Sequence, residues 1–444
     1  MAARRPGSTR SAAEPVPVRI VRLGAAGDGI GTAADGRPIF VPLTLPGEDV
    51  RARLSGPRGD GTAAVLDEIL APSPDRIAPA CPHFGTCGGC ALQHWADAPY
   101  LAWKASLLRD ALIRAGFADP KLAPIVATPP GARRRMDLAA RRESGGTIRL
   151  GLHRMRDTEV IDLAACPVLH PRLAALIAPL RALLGGLDAL RREASVIANL
   201  LDAGPDLLLR TDAAPSLSDR TKLTAFAQAH DLPRISWARR TDTPEPVCVL
   251  RPPVTALSGV QVAPPPGAFL QASAAGEAAI LAAVRAGLPD RLPPKARIVE
   301  LYAGCGTLTF ALAARARVAA YEGDTATAAT LRAAIAPAGL AGRIDAHTRD
   351  LTRQPLSPAE LAGAAAVVLD PPQAGATAQM PALAAARPAC VIYVSCNPAT
   401  LARDATTLRA AGYTATCATP IDQFLWSPRL ESVTTFHLAP LRRG

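Results

Sequence analysis

Two short polar segments in the carboxyl-terminal part of the chain carry residue types suited to covalent chemistry. Each segment follows an apolar run: Val367-Val368-Leu369 precedes Asp370-Pro371-Pro372-Gln373, and Val391-Ile392-Tyr393-Val394 precedes Ser395-Cys396-Asn397-Pro398. Apolar strands that stop at polar residues and proline place those residues in the crevice at the carboxyl ends of an open α/β sheet, where ligands bind. A cysteine is often only a small buried apolar residue. At this position we predict that Asp370 and Cys396 face a ligand and that Cys396 is a nucleophile.

A glycine-rich segment upstream is suited to binding a cofactor. The apolar run Ile298-Val299-Glu300-Leu301 leads into Tyr302-Ala303-Gly304-Cys305-Gly306-Thr307. A strand that enters a Gly-x-Gly turn and opens a helix lets the backbone approach a bound cofactor closely. Thr309 occupies the place of the third glycine of a dinucleotide fingerprint, which disfavours a nicotinamide cofactor.

Two carboxylates, Glu322 and Asp350, could support this site. Glu322 ends the next predicted strand, where a carboxylate can accept both hydroxyls of a ribose. Asp350 follows another short segment and is predicted to face an adenine. On the residues alone, Glu322 could also be a surface carboxylate at a strand end, and Glu431 would be read as a carboxylate on an edge strand.

A group of cysteines forms a second candidate site. Cys81, Cys87 and Cys90 have the spacing C-x5-C-x2-C, and Cys166 lies further along the chain. Four thiolates can hold an iron–sulfur cluster, and structural zinc or no metal at all are the alternatives. The C-x3-C-x2-C pattern of radical enzymes is not met, so a cluster here would be structural or would organise RNA. The remaining cysteines, Cys305, Cys390 and Cys417, are predicted to pack in cores, and Cys248 is unassigned.

The composition of the 444 residues is that of a globular chain of about three domains. Hydrophobic residues make up 49% and charged residues 20%, which excludes disordered and fibrous classes. The net charge of +11 favours a polyanionic partner, with nucleic acid first. Only four of the 49 basic residues are lysines, so the arginine content reflects a biased composition and no single arginine is assigned to a phosphate. No run of about 18 apolar residues occurs, and we expect a cytoplasmic protein without a membrane partner.

Three regions follow from the patterns along the chain. Residues 16–75 alternate β-branched runs with turns and predict a small β-barrel. Residues 76–262 predict a central α+β domain that contains the cysteines, a helix over residues 100–116, a helix near residues 173–190 and a densely basic stretch over residues 133–156. That stretch could equally be a solvated face of a sheet. Residues 263–444 alternate strands and Ala-rich helices, which predicts a doubly wound α/β domain.

Together these motifs resemble the bacterial RNA uridine-5-methyltransferases, which make 5-methyluridine, and specifically their 23S ribosomal RNA branch. The resemblance covers nearly the whole chain. It rests on Leu45-Pro46-Gly47-Glu48, Ser73-Pro74-Asp75-Arg76, the cysteine motif with Gln93-His94 and Cys166-Pro167, Glu300 to Gly306, Asp370-Pro371-Pro372, Ser395 to Pro398 and Glu431-Ser432-Val433. Two positions depart from the family pattern, because Gln373 stands where arginine is usual and Thr307 where asparagine is common.

The resemblance implies three domains and two cofactors. These are an OB-like TRAM barrel that binds RNA, a central domain with a [4Fe-4S] cluster on Cys81, Cys87, Cys90 and Cys166, and a Rossmann-like class I domain that binds S-adenosyl-L-methionine. Residues 98–128 are expected to pack on that last domain. The resemblance assigns Cys396 as nucleophile, Glu431 as the base for the C5 proton, and cofactor contacts to Gln271, Tyr302, Thr307, Glu322, Asp350 and Asp370. The expected partner is RNA with a single-stranded or flipped-out uridine, and no DNA.

Three alternatives remain open. A transfer RNA methyltransferase is one, although that branch usually lacks the barrel and the cluster cysteines. An adenine amino-methylating enzyme is disfavoured because Gln373 replaces the aromatic residue of its D-P-P loop and because that chemistry needs no thiol at Cys396. A non-catalytic iron–sulfur RNA-binding protein would leave Glu322, Asp370, Cys396 and Glu431 without a role.

Overall fold

The structure, a computed structural model, describes residues 14–33 and 35–439. The described chain divides into two compact units. The first contains the residues up to Gly85 together with Cys90–Tyr100 and Trp426–Pro428. The second contains Thr86–Gly89, Leu101–Leu425 and the residues from Arg429 onward.

The first unit is built on a six-stranded sheet in the order β1-β5-β6-β4-β3-β2. Its strands are β1 (Val16–Arg19), β2 (Arg22–Leu23), β3 (Gly29–Thr32), β4 (Pro38–Val41), β5 (Asp49–Arg58) and β6 (Gly61–Ala71). Only two residues separate the outermost strands along the chain, and an extended link of that length spans at most about 11 Å. The outer strands of a flat six-stranded sheet would lie about 24 Å apart. The sheet must therefore curl, and it closes around a small core that contains Val18, Ile20, Val41 and Val50.

The next elements form the central part of the second unit. In chain order they are α1 (Asp97–Arg114, which begins in the first unit), β7 (Val126–Ala127), β8 (Arg135–Arg142), β9 (Ile148–Gly151), α2 (Pro171–Ala174), α3 (Ile177–Gly185), β10 (Glu193–Leu201), β11 (Gly204–Thr211), α4 (Leu217–Ala229), β12 (Arg234–Arg239) and β13 (Glu245–Val249). Six of these strands pair in the order β13-β12-β11-β10-β8-β9. The helix predicted near residues 173–190 is wrong in one respect, because it is two short helices. Pro179 has no N–H for the carbonyl of Ala175, four residues earlier, which explains the interruption between α2 and α3.

The carboxyl-terminal part supplies seven of the eight strands of a further sheet, and it alternates strands with helices as an α/β fold does. Its elements are β14 (Thr255–Leu257), β15 (Val260–Val262), α5 (Ala274–Gly287), β16 (Arg297–Leu301), α6 (Thr307–Ala313), β17 (Arg317–Glu322), α7 (Thr325–Ile335), β18 (Ile344–Thr348), α8 (Pro358–Leu361), β19 (Ala364–Leu369), α9 (Met380–Ala386), β20 (Cys390–Ser395), α10 (Pro398–Ala410), β21 (Tyr413–Asp422) and β22 (Glu431–Leu438). The sheet order is β18-β17-β16-β19-β20-β22-β21-β7, while β14 and β15 form a separate hairpin.

Alternating residues of this sheet pack into two hydrophobic cores. Ile298 and Val368 face a core shared with α5, α6 and α7, and Val299 and Val367 face a core shared with α8, α9 and α10. Such continuous apolar strands are typical of sheets covered on both sides. β22 runs antiparallel between β20 and β21, whereas β16 to β20 pair in parallel.

Two segments from earlier in the chain complete this sheet. Leu108 and Leu112 of α1 are fully buried in the same core as Phe436 of β22. β7 adds an eighth strand, since Val126 pairs with Ile421 in parallel. Truncating a buried leucine of this kind typically costs about 2–5 kcal/mol, so α1 is an integral layer of the sheet that it covers.

Candidate active site

Strand register brings the predicted nucleophile and the predicted base together. Ser395 and Ser432 are the last paired residues of the β20–β22 ladder, and the Ser432 hydroxyl donates to the Ser395 carbonyl at 3.2 Å. In an antiparallel ladder, the residue after one member of a pair lies opposite the residue before the other member. Cys396 and Glu431 therefore occupy facing positions at the end of the ladder. Glu431 is buried and Cys396 is half-buried.

A chain of side-chain amides connects Glu431 to Asp370. Gln423 Nε2 donates to Glu431 Oε2 at 2.8 Å and to Gln271 Oε1 at 2.9 Å. Gln271 Nε2 in turn donates to Asp370 Oδ2 at 3.2 Å. We call these four residues the amide relay. Asp370 follows β19, Gln423 follows β21, Glu431 begins β22 and Gln271 precedes α5. The amide relay therefore brings four segments of the chain together at the carboxyl end of the sheet.

The start of α10 fixes the loop after Asp370. Asn397 caps α10 by accepting from the Ala399 amide, and its Nδ2 donates to the Gln373 carbonyl at 3.1 Å. Asp404, in the middle of the same helix, accepts from the Ala376 amide at 2.7 Å. The side-chain oxygen of Gln373 accepts from Arg429 Nη1 at 3.3 Å. At the position where the family usually has arginine, the glutamine is thus in contact with an arginine from another loop.

The electrostatics of this crevice favour protonated groups in the resting chain. Burial, followed by the charges of Glu431 and Asp370, raises the pKa of the Cys396 thiol to about 11. Burial also raises the pKa of Asp370 and, together with the charge of Asp370, the pKa of Glu431. The hydrogen bonds from Gln271 and Gln423 oppose these shifts. Perturbed titratable groups that converge in a crevice are typical of catalytic sites.

The turn between β16 and α6 has the backbone conformation that the glycine pattern predicts. Gly304 and Gly306 have φ of +58° and +105°, and Tyr302 between the strand and the turn is also left-handed, at φ +63°. A Cβ at Gly306 would lie 2.5 Å from the Phe310 ring, whereas one at Gly304 would meet open space. The open side of the turn can therefore receive a ligand, and a strained non-glycine residue beside it is a mark of a functional site.

Two other predicted cofactor residues flank this turn. Glu322 accepts from the Gly304 amide at 2.8 Å and from the Asp324 amide at 2.7 Å, which holds its carboxylate against the turn with lone pairs to spare. Thr307 is the first residue of α6, and its carbonyl accepts from the Ser258 hydroxyl at 3.0 Å. Burial raises the pKa of Tyr302 to about 12, so its hydroxyl is a neutral donor and acceptor at neutral pH.

Asp350 lies at the surface after β18. Its Oδ1 accepts from the amides of Thr352 and Arg353 at 3.0 and 3.2 Å, so this carboxylate shapes its own turn. A Cβ at Gly323 would lie 3.7 Å from the Asp350 Cα. The backbone of Asp350 is thus close to the residue that follows Glu322.

The central sheet anchors the loop that carries Gln271. Arg134 Nε donates to the Gln271 carbonyl at 2.9 Å and the Arg134 guanidinium also pairs with Glu277. Asn199 Nδ2 donates to the Ala268 carbonyl at 2.9 Å. This loop is therefore held by the central sheet, whereas the rest of the site lies on the eight-stranded sheet.

Several arginines of the basic stretch have structural contacts. Arg142 donates to carbonyls of Leu184 and Gly185 at the end of α3, and Arg149 and Arg154 both pair with Glu159. Arg135 lies over the exposed ring of Phe269, 4.7 Å from its centroid. These arginines therefore make contacts within the fold, and a role of this stretch in RNA binding stays a prediction.

The four predicted cluster cysteines are divided between the two units. Cys81 and Cys90 belong to the first unit, and Cys87 and Cys166 to the second. No cysteine of the described chain forms a disulfide. Within residues 14–33 and 35–439, no three Cys, His, Asp or Glu side chains form a group that could hold a metal ion. The Gly89 amide donates to Cys87 Sγ at 3.4 Å.

Sequence reasoning missed Gln423, Lys104 and Asp422. Lys104 and Asp422 are fully buried and paired at 2.8 Å. The sequence pattern could have indicated Asp422 and Gln423 as site residues, since Asp422 ends β21 and Gln423 follows it, at the same edge as Asp370 and Cys396. The strand itself was obscured, because Pro420 lies within β21.

Comparisons with known proteins bear on the whole chain. Residues 357–437 match the family model described as tRNA (Uracil-5-)-methyltransferase. An "Uncharacterized RNA methyltransferase" of Caulobacter vibrioides is 41% identical, over 93% of this chain and 98% of that protein. The "23S rRNA (uracil(1939)-C(5))-methyltransferase RlmD" of Halomonas elongata is 34% identical, over 97% of this chain and 92% of that protein.

A solved structure has the same fold. It is that of Pyrococcus abyssi tRNA (uracil-54, C5)-methyltransferase in complex with S-adenosyl-L-homocysteine, with a TM-score of 0.70, 20% identity, and coverage of 95% of this chain and 100% of that one. No helix of the described residues is long and apolar enough to cross a membrane. With a facing cysteine and carboxylate at the end of a doubly wound sheet, and relatives similar over nearly its full length, the chain belongs to the S-adenosylmethionine-dependent RNA (uracil-C5)-methyltransferases.

Proposed function

We propose that this enzyme methylates C5 of a uridine in 23S ribosomal RNA through a covalent adduct on Cys396, with Glu431 as the base. The observation that carries the mechanism is the register that sets Cys396 opposite Glu431. The RNA class is supported by two relatives at 34% identity, from Halomonas elongata and Chromohalobacter salexigens, whose names specify uracil 1939 of 23S rRNA.

The reaction needs a nucleophile because uracil C5 is too weakly nucleophilic to take a methyl group directly. The Cys396 thiol gives its proton to solvent, and the thiolate then adds to C6 and moves electron density to C5. S-adenosylmethionine supplies the electrophilic methyl group. Glu431 then takes the C5 proton, the C5–H electron pair forms the C5–C6 double bond, and the C6–Sγ bond breaks to release the Cys396 thiolate.

The chain also provides places for the cofactor. The open turn at Gly304, the carboxylate of Glu322 beside it and the Asp370 end of the amide relay lie at the carboxyl edge of the sheet. Tyr302, Thr307 and Gln271 flank the same edge, and Asp350 follows the neighbouring strand β18. We assign these residues to cofactor binding. The uridine must leave its stack to reach Cys396, since C5 and C6 cannot be attacked inside a helix.

We assign Cys81, Cys87, Cys90 and Cys166 to a [4Fe-4S] cluster with a structural role. Four thiols are the donor set that such a cluster takes. The donation from the Gly89 amide to Cys87 Sγ is the type of contact that stabilises a ligating thiolate, and a Cβ at Gly89 would lie 2.7 Å from Leu152. Iron and acid-labile sulfide, measured after anaerobic purification, should fall in Cys87→Ser and stay constant in Cys248→Ser. Equal content in both variants would contradict this assignment.

We assign the curled sheet of the first unit to an OB-like TRAM domain that contacts RNA. Three of its surface arginines are paired, with Arg19 to Asp49, Arg51 to Glu68 and Arg53 to Asp67. RNA binding there would therefore depend on shape as well as charge. Triple replacement of Arg51, Arg53 and Arg58 by glutamine should weaken RNA binding while S-adenosylhomocysteine binding stays constant.

The deciding experiment is nucleoside mass spectrometry of 5-methyluridine in separated ribosomal and transfer RNA from a strain that lacks the gene. Loss from a 23S fragment, with the one around position 1939 taken first, supports the proposal. Loss confined to transfer RNA would keep the chemistry and overturn the target. Unchanged 5-methyluridine in both fractions would contradict the proposed reaction.

A further inference from the structure

A glutamine outside the predicted site holds the proposed base. Gln423 Nε2 has two hydrogens, and both are used: one bonds Glu431 Oε2 at 2.8 Å and the other Gln271 Oε1 at 2.9 Å. The other carboxylate oxygen, Glu431 Oε1, is buried and has no hydrogen-bond partner among the described residues. One oxygen of Glu431 is thus fixed, and the other is buried with no hydrogen-bond partner among the described residues, so it has an unused acceptor site.

The polarity of the amide relay permits one orientation of Gln423. Gln271 donates to Asp370 and accepts from Gln423, so its oxygen faces Gln423. If the Gln423 amide were rotated by 180°, its oxygen would face the oxygens of Gln271 and Glu431. Three acceptors would then meet without a proton, which is costly in a buried site. The observed orientation favours the ionised form of Glu431, the form that a base requires.

Packing also holds the Gln423 side chain in place. The Gln423 side chain lies against Gly276 in the first turn of α5, where a Cβ would be 2.7 Å from Gln423 Oε1 and 2.8 Å from Gln423 Cβ. Glycine inside a helix typically costs about 1 kcal/mol relative to alanine. At position 276 the missing side chain provides the space that Gln423 occupies.

A buried ion pair fixes the chain at Gln423. Lys104 Nζ of α1 pairs with Asp422 Oδ1 at 2.8 Å, and both side chains are excluded from solvent. The same ammonium donates to the Phe424 carbonyl at 3.3 Å and to the Arg429 carbonyl. Lys104 therefore ties together both ends of the segment between β21 and β22, directly beside Gln423 and Glu431.

We propose that Gln423 is a positioning residue that fixes Glu431 so that its Oε1 can take the C5 proton, and that the Lys104–Asp422 pair fixes Gln423. This inference rests on the proposed function, in which Glu431 acts after methyl transfer. A misplaced Glu431 should therefore spare adduct formation and slow adduct breakdown. A residue that only stabilises the fold would slow both steps or neither.

The test follows a single turnover with methyl-labelled S-adenosylmethionine and an RNA fragment that the intact enzyme methylates, with the protein–RNA adduct separated on a denaturing gel. Glu431→Gln should accumulate labelled adduct. Gln423→Leu should also accumulate it, with adduct breakdown about ten- to a hundredfold slower than in the unaltered enzyme. Gly276→Ala should act in the same direction without removing a polar group, and it serves if Gln423→Leu fails to fold.

A matched control is Gln379→Leu. Gln379 is also fully buried and also makes two hydrogen bonds, to the amide and carbonyl of Leu356. This variant should lose stability and show unchanged adduct breakdown. Breakdown at the normal rate in both Gln423→Leu and Gly276→Ala, with adduct accumulating in Glu431→Gln, would overturn the role of Gln423 and leave the proposed function intact. No adduct in any variant, Glu431→Gln included, would instead count against the proposed function.

The pH dependence of adduct breakdown gives a second readout. Because the Gln423 hydrogen bond stabilises the carboxylate, its loss should raise the pKa of Glu431 and move the midpoint of breakdown to higher pH. The other charged or titratable groups around Glu431 are Asp370 after β19, Cys396 after β20, Asp422 on β21 and Arg429 before β22, and all of them are unchanged in Gln423→Leu. An unshifted midpoint in this variant would contradict the inference.

Discussion

Cys396 lies across the end of the β20–β22 ladder from Glu431, so that burial and then the Glu431 carboxyl group raise the pKa of its thiol to about 11. At pH 8 only about one thiol in a thousand would be ionised at such a pKa. The free enzyme thus keeps its nucleophile protonated.

This relationship predicts how fast Cys396 reacts with iodoacetamide. The alkylation rate should rise with pH over the whole range from 7 to 10, because the thiolate is the reacting form. At pH 9, above the Glu431 pKa of about 8, Glu431→Gln removes a negative charge, lowers the thiol pKa and should speed alkylation. Peptide mass spectrometry gives the rate at Cys396. Cys417 is the internal reference, because it is exposed, so the prediction that it packs in a core is wrong. Equal rates with and without the Glu431 charge would show that burial alone sets this pKa.

Cys396→Ala should abolish chemistry and keep binding. Loss of a covalent nucleophile typically lowers turnover by at least about a thousandfold. Binding of RNA and of S-adenosylhomocysteine should be unchanged, as measured by calorimetry and filter binding, and no protein–RNA adduct should form. Normal methylation by this variant would exclude the covalent mechanism.

The glycine turn predicts a difference between two similar substitutions. Gly306→Ala places a Cβ 2.5 Å from Phe310 and 2.8 Å from Leu331, at φ +105°, and should cost about 2–4 kcal/mol in the free energy of unfolding. Gly304→Ala meets no atom within 4 Å and should cost about 1 kcal/mol from its left-handed backbone alone. Urea unfolding measures both values. The prediction fails if Gly304→Ala is the more damaging change.

Gly304→Ala should nevertheless weaken cofactor binding more than its stability cost suggests. Its Cβ would point into the open side of the turn, where we place the cofactor. Calorimetry with S-adenosylhomocysteine should show a loss of affinity of about tenfold or more. Unchanged affinity would place the cofactor elsewhere.

Lys104→Met should destabilise the protein strongly. It leaves the Asp422 carboxylate buried without its ion-pair partner, which typically costs about 3–5 kcal/mol. The double variant Lys104→Met/Asp422→Leu removes both charges and should recover most of that loss. Lys222→Met, at an exposed lysine, is the control and should change stability by less than about 0.5 kcal/mol. A double variant as unstable as the single one would show that the pair is not the cause.

Some parts of the site that follow strand ends were predictable, because polar residues directly after the apolar strands of an α/β sheet lie in the crevice where ligands bind. Asp370 and Cys396 are examples, and so is the turn at Gly304 and Gly306. Gln423 was not, since the strand before it contains Pro420 and alternates polar residues. Lys104 could not be paired with Asp422 from sequence, because a lysine on an amphipathic helix is normally a surface residue.

Most of the chain lies between Lys104 and Asp422, which are 318 residues apart. During synthesis, α1 and β7 emerge long before β21 and β22, and contacts of such separation form late. Until then the apolar face of α1, with Leu108 and Leu112, has no covering partner from the last strands, and such exposed surface attracts chaperones and proteases. A chain that stops before residue 431 would lack β22 and would leave this apolar face without that cover. The last strand therefore protects the first helix, besides carrying the proposed base.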